Sequence, residues 1–322
     1  MSLHNHHLKR SERFAWYVKS EFGISSQFGS IQEVPFLPAR AFKHFELKSI
    51  RDEEIYKVLT SSGTSGLPSR IFLDKETALA QTLSLVSTMK PLFGKLRRPF
   101  VVATPPGTAK RNLSAATAAV NGFTMFASKV FHLPLEPTSI DIAKLVEFLS
   151  ETNQGPALFG FTANIWGLMS GRQLRGLFSS FDDSVLLHGG GWKKMEHLRV
   201  SHQEFNNAAM KELGIQRVAS YYGMVEQTGS LFVECAAGFL HEPSENAFLI
   251  RDVKTLNCLD PGHRGYIQVL STIQKSYPGH SILTEDIGAE IEGICPCGDL
   301  KRRLVVIGRA PKTEIRGCSD AT

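Results

Sequence analysis

Between Tyr56 and Leu73 the chain reads YKVLTSSGTSGLPSRIFL, an apolar run that enters a stretch of Ser, Gly, Thr and Pro and leaves through a second apolar run. Ser61, Ser62, Gly63, Thr64, Ser65 and Gly66 carry no bulky side chains. The backbone there can curl its N–H groups around an anion while the hydroxyls add donors. Such a loop suits polyphosphate, although an ordinary polar hairpin loop has the same composition. It is not a Walker A loop, because no Gly-Lys-Ser/Thr follows, and the nearest cation is Arg70. HGGGW, His188 to Trp192, stands directly after an apolar run. Its glycines admit a flat ligand or a phosphate close to the backbone, or simply make a tight strand-to-helix turn. Glu226 in YYGMVEQTG offers the hard oxygen that magnesium takes from a protein, though a lone carboxylate is equally a solvated surface group. On the residues alone, Asp286 in LTEDIG reads as a turn cap before Gly288, and Arg309 in IGRAP as a surface cation near Glu314. Cys318, beside Arg316, stands where a thiolate would be favoured on a mobile tail, or is an inert cysteine in a frayed end. Cys295-Pro-Cys297-Gly298 suggests zinc, but Cys258, His263 and His280 stand at no standard ligand spacing, so a tight turn is expected.

These residues need a frame, and the chain has the length for one. Its 322 residues, 42% hydrophobic and 21% charged, exclude disorder and allow one large domain or two smaller ones. No apolar run approaches the ~20 residues of a membrane helix. The polar start MSLHNHHLKRSERF lacks a secretory core, and its histidines have the look of an appended tag. Together with five scattered cysteines this implies a cytoplasmic protein in a reducing compartment. A net charge of +5 suits an anionic substrate, while the dispersed basic residues argue against nucleic acid.

Periodicity predicts a helix over Ser11 to Phe22, then a segment broken by Pro35 and Pro38 whose Val34, Phe36, Leu37, Phe42 and Phe45 wrap onto the body. After the Ser/Gly loop come a helix from Lys75 to Met89 ended by Pro91, a strand at Phe100 to Ala103, and helices over Leu113 to Val120 and Ile140 to Ser150. GPALFGFTANIWGLM gives a strand and a helix start, and further strands follow at Val185 to Leu187 and Arg217 to Tyr222. LFVEC, AFLIRDV, YIQVLST, HSILTED and RLVVIGR make the last third strand-rich. Short strands alternating with helices imply an α/β sheet covered on both faces.

SSGTSGLPS, HGGGW, YYGMVEQT, and TEDIGAEI followed by VIGRAPKTEIRG occur in a fixed order. In that order they resemble the adenylate-forming enzymes, which include acyl- and aryl-CoA ligases, luciferases and peptide-synthetase adenylation domains. The entry VPFLPARAFK and the tail RGCSD look most like the LuxE-type acyl-protein synthetases, and the resemblance runs from about Pro35 onward. It implies an α/β adenylate-forming large-domain fold with mixed sheets, a strand-rich C-terminal part and no small lid domain. Residues 1–50 would be a helical, Pro-rich cover, 51–307 the ATP- and acid-binding domain, and 308–322 a hinge-like tail. It implies a ligase forming carbon–sulfur bonds, which uses ATP and Mg²⁺ to turn a carboxylic acid, a fatty acid, into an acyl-adenylate and passes the acyl group to a protein thiol. An acyl-CoA ligase and a non-catalytic nucleotide-binding subunit are the alternatives.

By the same resemblance, Ser61 to Gly66 would hold the β- and γ-phosphates, and Gly189, Gly190, Gly191, Tyr222 and Gly223 would line the adenine slot. Glu226 would bind magnesium, Asp286 would accept from the ribose hydroxyls, and Arg309 would contact ribose or phosphate at the hinge. Phe161, Thr162, Trp166 and Trp192 would wall the acid pocket, although an aromatic stripe is more often core. Cys318 would carry the acyl group before a partner, such as an acyl reductase or carrier protein, receives it. Several positions depart from the superfamily pattern. Ser69 and Arg70 follow Pro68 where Pro-Lys is usual. Val225 replaces a Thr, with Gln227 or Thr228 as substitutes, and Lys312 does not map onto the lysine of the lid domain.

Overall fold

A computed structural model describes residues 2–23, 28–61, 67–94, 97–104 and 115–310. The loop residues Ser62 to Gly66, together with Lys312, Arg316 and Cys318, lie outside them.

The chain opens with α1 (Ser2–Arg10) and α2 (Glu12–Phe22). The first of these corrects the tag reading of the N-terminus, because His4 and His7 are buried in the fold. His7 bonds Ser49 Oγ at 2.8 Å and the Gln274 carbonyl at 2.9 Å, and its ring stacks on His280 at 4.9 Å. Strand β1 (Leu37–Pro38) runs parallel to a late strand, with Leu37 opposite Ile282, and α3 (Ala41–His44) follows. Strands β2 (Lys57–Thr60) and β3 (Arg70–Leu73) form a separate hairpin in which Thr60 faces Arg70 across the neck of the Ser/Gly loop.

Helix α4 (Lys75–Phe93) starts where the Asp74 side chain accepts from the Thr77 N–H at 2.7 Å. It carries Pro91 inside its last turn instead of ending before it. Leu92 and Phe93 are buried beyond the proline, and their burial outweighs the lost hydrogen bond. Next come β4 (Arg98–Ala103), α5 (Ala115–Thr124), β5 (Ala127–Leu133), α6 (Ser139–Ser150), β6 (Ala157–Phe161), α7 (Thr162–Ser170), β7 (Val185–Gly189), α8 (His202–Leu213) and β8 (Arg217–Tyr222). Helix α5 runs past Val120 to bury Phe123 against Phe159, with ring centroids 4.8 Å apart.

Strands β4 to β8 are mutually parallel in the order β5-β4-β6-β7-β8. One buried cluster joins Leu145, Ile165, Phe178, Phe205 and Leu213 to Leu158 and Leu186, and another joins Met89, Phe93 and Phe123 to Phe159 and Leu187. Alternate residues of the same strands therefore point into two helix-covered cores, as their continuous apolar runs require.

The rest is antiparallel: β9 (Phe232–Glu234), β10 (Leu240–His241), β11 (Asn246–Arg251), β12 (Arg264–Ser271), β13 (Ser281–Ile291) and β14 (Arg303–Arg309). They continue the same sheet, because β8 pairs antiparallel with β9 through Tyr221–Val233 and Tyr222–Phe232. Among the described residues this gives a twelve-stranded mixed sheet, with β1 on the flank of β13. None of the described helices is long and apolar enough to cross a membrane.

Candidate active site

The sheet changes from parallel to antiparallel between β8 and β9, and the predicted side chains gather there. In open α/β sheets ligands bind beyond the carboxyl ends of the parallel strands, the side that β8 reaches at Tyr222. β8 ends at Tyr222, whose hydroxyl donates to Asp286 Oδ2 at 2.8 Å. Pairing of β13 with β14 sets Asp286 opposite Arg309, whose Nε stands 3.8 Å from Asp286 Oδ1. Burial pushes the Asp286 carboxyl up, and the Tyr222 phenol and the Arg309 charge oppose that push. The Tyr222 phenol itself is held well above its usual range by burial and by the neighbouring carboxylate. An acceptor carboxylate thus sits between a fixed donor and an exposed guanidinium.

Glu226 lies in a buried 3-10 turn, Val225–Gln227, just beyond the strand. Its Oε1 accepts from Ser69 Oγ at 2.5 Å. Ser69 N–H in turn donates to Ser61 Oγ at 2.8 Å, and Ser61 N–H to the Ser69 carbonyl at 3.1 Å. Ser61 and Ser69 therefore close the neck of the Ser/Gly loop, and the neck is bolted to Glu226. Burial raises the Glu226 carboxyl, against the pull of the Ser69 hydroxyl and the charges of Lys43 and Arg309. A buried carboxylate beside the Ser69 hydroxyl fits magnesium, which takes one or two protein carboxylates and completes its shell with phosphate oxygens and water, while the charges of Lys43 and Arg309 suit phosphate.

The substitutes expected for the missing Thr are otherwise engaged. The Gln227 amide donates to the carbonyls of Val269 and Gly279 at 3.0 and 2.7 Å, and the Thr228 hydroxyl to that of Val225 at 2.9 Å. Arg70 turns outward, 3.5 Å from Glu46 and over the Phe72 ring. Lys43 of α3 supplies positive charge near Glu226 instead. Neither Lys43 nor the role of Ser69 was singled out from the sequence. Position 69, where the superfamily pattern has a lysine, was the available signal.

Gly189 closes β7 against Tyr221, and a Cβ there would lie 2.6 Å from Tyr221 Cζ. Gly190 has φ +76°, a conformation that only glycine adopts cheaply, whereas nothing stands within 4 Å of a Cβ at Gly191. A Cβ at Gly223 would press on the Leu231 side chain. Thr162 Oγ1 lies 3.0 Å from His188 Nδ1, 3.2 Å from the Gly189 carbonyl and 3.0 Å from that of Gly190, so it pins the glycine turn to the start of α7. Burial pushes His188 down to about 3, which keeps the ring neutral.

Phe161 lies beside Gly190. Trp166 and Trp192 meet edge to face at 5.5 Å, and both pack on Phe205, at 6.1 and 6.3 Å, within the core behind the turn. An apolar groove of about 490 Å³ lies elsewhere, between α2 and the β1–α3 segment, and is lined by none of the predicted site residues. That groove lies apart from the place where Tyr222, Asp286 and Arg309 converge.

A family model described as "Acyl-protein synthetase, LuxE" matches residues 1–322. The long-chain-fatty-acid–luciferin-component ligase of Aliivibrio fischeri is 23% identical over 299 residues, covering 88% of this chain and 75% of its own length. The enzyme of the same name from Vibrio harveyi is 23% identical over 312 residues, with 92% and 79% covered. Among solved structures, an open conformation of 2-hydroxyisobutyryl-CoA ligase with 2-HIB-AMP and CoA superposes with a TM-score of 0.74 at 15% identity, over 96% of this chain and 67% of that one. ATP-bound MatB from Rhodopseudomonas palustris gives a TM-score of 0.54 at 16% identity, over 81% and 49%. At these identities the structural likeness concerns the fold, which is the α/β adenylate-forming fold expected from the ordered motifs.

Proposed function

The chain belongs to the LuxE acyl-protein synthetase family, and from that premise we propose that it joins a long-chain fatty acid to ATP as an acyl-adenylate and delivers the acyl group to a protein thiol. The observation that supports this most is the meeting of Tyr222, Asp286 and Arg309 with Ser69 and Glu226 at the parallel-to-antiparallel switch. In the first half-reaction a carboxylate oxygen attacks the α-phosphorus and pyrophosphate leaves, so two anions must be held together and the leaving charge stabilised.

Asp286, already anchored by Tyr222, accepts from the ribose hydroxyls, and Arg309 and Lys43 offset the phosphate charge. Gly189, Gly190, Gly191 and Gly223 let the adenine plane approach the backbone. Ser61 and the loop it closes, Ser62 to Gly66, hold the outer phosphates. Glu226 would hold Mg²⁺, which when bound neutralises phosphate charge. Phe161 and Thr162, backed by Trp166 and Trp192, form the wall for the acid. Cys318 accepts the acyl group as a thioester, with the adenylate's AMP leaving, and passes it to a partner such as an acyl reductase or carrier protein.

A carboxylate-dependent ATP–pyrophosphate exchange assay tests the first step. Long-chain fatty acids should stimulate exchange, and Glu226→Gln should lower it about 100-fold, the scale of removing one preorganised electrostatic contact. Absence of stimulation across a panel of acids would withdraw the adenylation reading. Mass spectrometry with labelled fatty acid separates the acceptors. Cys318→Ser should keep exchange but lose the protein thioester, and acyl-CoA as the sole product would assign the acceptor to CoA.

A further inference from the structure

Cys235, His241, Cys295 and Cys297 come together at the far end of the antiparallel strands, each with a ligand-type atom within 4.8 Å of the others. Cys235 Sγ lies 3.7 Å from Cys295 Sγ, and Cys297 Sγ lies 3.4 Å from His241 Nε2. A tetrahedral zinc ion, with Zn–S of about 2.3 Å and Zn–N of about 2.0 Å, separates its sulfurs by about 3.8 Å and sulfur from nitrogen by about 3.5 Å. The two close pairs therefore already stand at the edges of such a tetrahedron. The three cysteines are free of disulfides, and Cys295 and His241 are buried.

The backbone around the sulfurs has the form of two opposed turns. Cys235 follows β9 in a tight reversal, with Gly238 N–H donating to its carbonyl at 3.1 Å and Ala237 N–H lying 3.4 Å from its sulfur. Cys295 opens a second turn, in which Gly298 N–H donates to its carbonyl at 2.9 Å and Gly298 has φ +86°. The N–H of Cys297 faces the Cys295 sulfur, and that of Asp299 faces the Cys297 sulfur. Each sulfur thus receives the amide two residues on, which suits a metal-bound thiolate. Sequence spacing concealed this set because Cys235-x5-His241 and Cys295-x-Cys297 are separated by most of the antiparallel sheet, and only the pairing of β10 with β14 closes the gap.

We propose that Cys235, His241, Cys295 and Cys297 form a structural zinc site. Three thiolates and one imidazole are a soft, closed donor set that leaves no position for substrate. Binding releases the thiol protons and ties the β9–β10 hairpin to the β13–β14 connection. β9 pairs with β8, which carries Tyr222, while β13 and β14 carry Asp286 and Arg309. The ion would fix the relative register of the strands that bring the nucleotide residues together.

The test is metal content of the full chain purified under reducing conditions without chelator. About one zinc per chain is expected, and cobalt added to chelator-stripped protein should give thiolate charge-transfer and tetrahedral d–d absorption. A Cys295→Ser/Cys297→Ser variant should lose the metal, while Cys258→Ser keeps it. If the double variant fails to fold, the wild type still decides: stripping should lower the Tm, and zinc should restore it. No metal on the wild type together with no cobalt spectrum overturns the proposal. So does a folded double variant with undiminished zinc, or a thiol count showing these cysteines disulfide-bonded.

Discussion

The two halves of the sheet are held in place by different means. In the parallel half, from β4 to β8, position is set by volume. Phe100, Phe159, Leu158 and Leu186 are fully buried between helices, and a Cβ at Gly160 would lie 2.6 Å from Ile165 Cδ1. In the antiparallel half many of the constraints are polar. Arg302 pairs with Glu290 and Glu242, donates to the Phe248 carbonyl at 2.7 Å and lies over that ring at 4.4 Å. Arg251 reaches the carbonyls of Leu256 and Gln32 at 2.8 and 2.7 Å, and Gln268 donates to Ser281 Oγ at 2.9 Å. The first half should tolerate volume-conserving apolar swaps better than a change of size, and the second should be most sensitive to the loss of a hydrogen-bonding group. The site draws Tyr222 from one half and Asp286 and Arg309 from the other, so it inherits both sensitivities.

The sharpest test of the volume rule lies within one motif. Gly189→Ala places a methyl against Tyr221, whose ring is held by Phe123 at 5.1 Å, while Gly191→Ala meets nothing within 4 Å. Overpacking predicts a loss of about 3 kcal/mol for the first and under about 0.5 kcal/mol for the second, read from urea unfolding midpoints. Equal losses would show that the glycine turn, and not the Tyr221 contact, limits this position.

The same division explains what could be read from the sequence. Strands β6, β7 and β8 and helix α6 announce themselves as apolar runs or stripes, and the structure has them where periodicity put them. β5 went unread because it is an edge strand, buried only at Ala127 and Leu133. α8 carries no broad apolar face, only Phe205, Ala209 and Leu213, although its Ser201–Glu204 capping box and Gly214 were available as signals. α1 is polar by composition, and its role depends on His280, which no local pattern connects to it. Of the site, the order of the motifs was legible. The Ser69–Glu226 bond, the position of Lys43 and the cysteine cluster were not, because each is a product of tertiary pairing across more than fifty residues.

Polar constraints titrate and volume does not, so acid should separate the halves. Burial pushes His4 down to about 4, His7 down to about 3 and His280 well below its usual value, and all three sit where α1 docks beside β13. Among the described residues the parallel half has one comparable group, His188, likewise pushed to about 3. A depressed folded pKa means that stability is intact above the unfolded value near 6.5 and is lost as pH falls from there toward the folded value. At pH 5 His7 alone would account for about 2 kcal/mol. Hydrogen exchange compared at pH 7 and pH 5 should show α1 and the start of β13 losing protection before β4 and β6, which carry no histidine. Uniform loss across the sheet would mean that the halves respond as one unit.

The smallest effect concerns the bond that joins them. Tyr222→Phe removes the 2.8 Å hydrogen bond to Asp286 and leaves ring volume unchanged, so its cost is polar, about 1 kcal/mol at neutral pH. The sign of its pH dependence follows from Asp286, whose carboxyl is already raised by burial and is restrained by the phenol and by Arg309. Without the phenol that carboxyl rises further, so the variant loses most where Asp286 must be ionised. The stability gap should therefore narrow as pH falls through the range in which the carboxyl becomes protonated. Asp286→Asn completes a double-mutant cycle. If the phenol and the carboxylate are coupled, Tyr222→Phe should cost less in the Asp286→Asn background than in the wild type. An identical cost in both backgrounds would mean that Tyr222 holds its place by packing on Phe232, at 6.3 Å, and that volume governs the seam as it governs the parallel half.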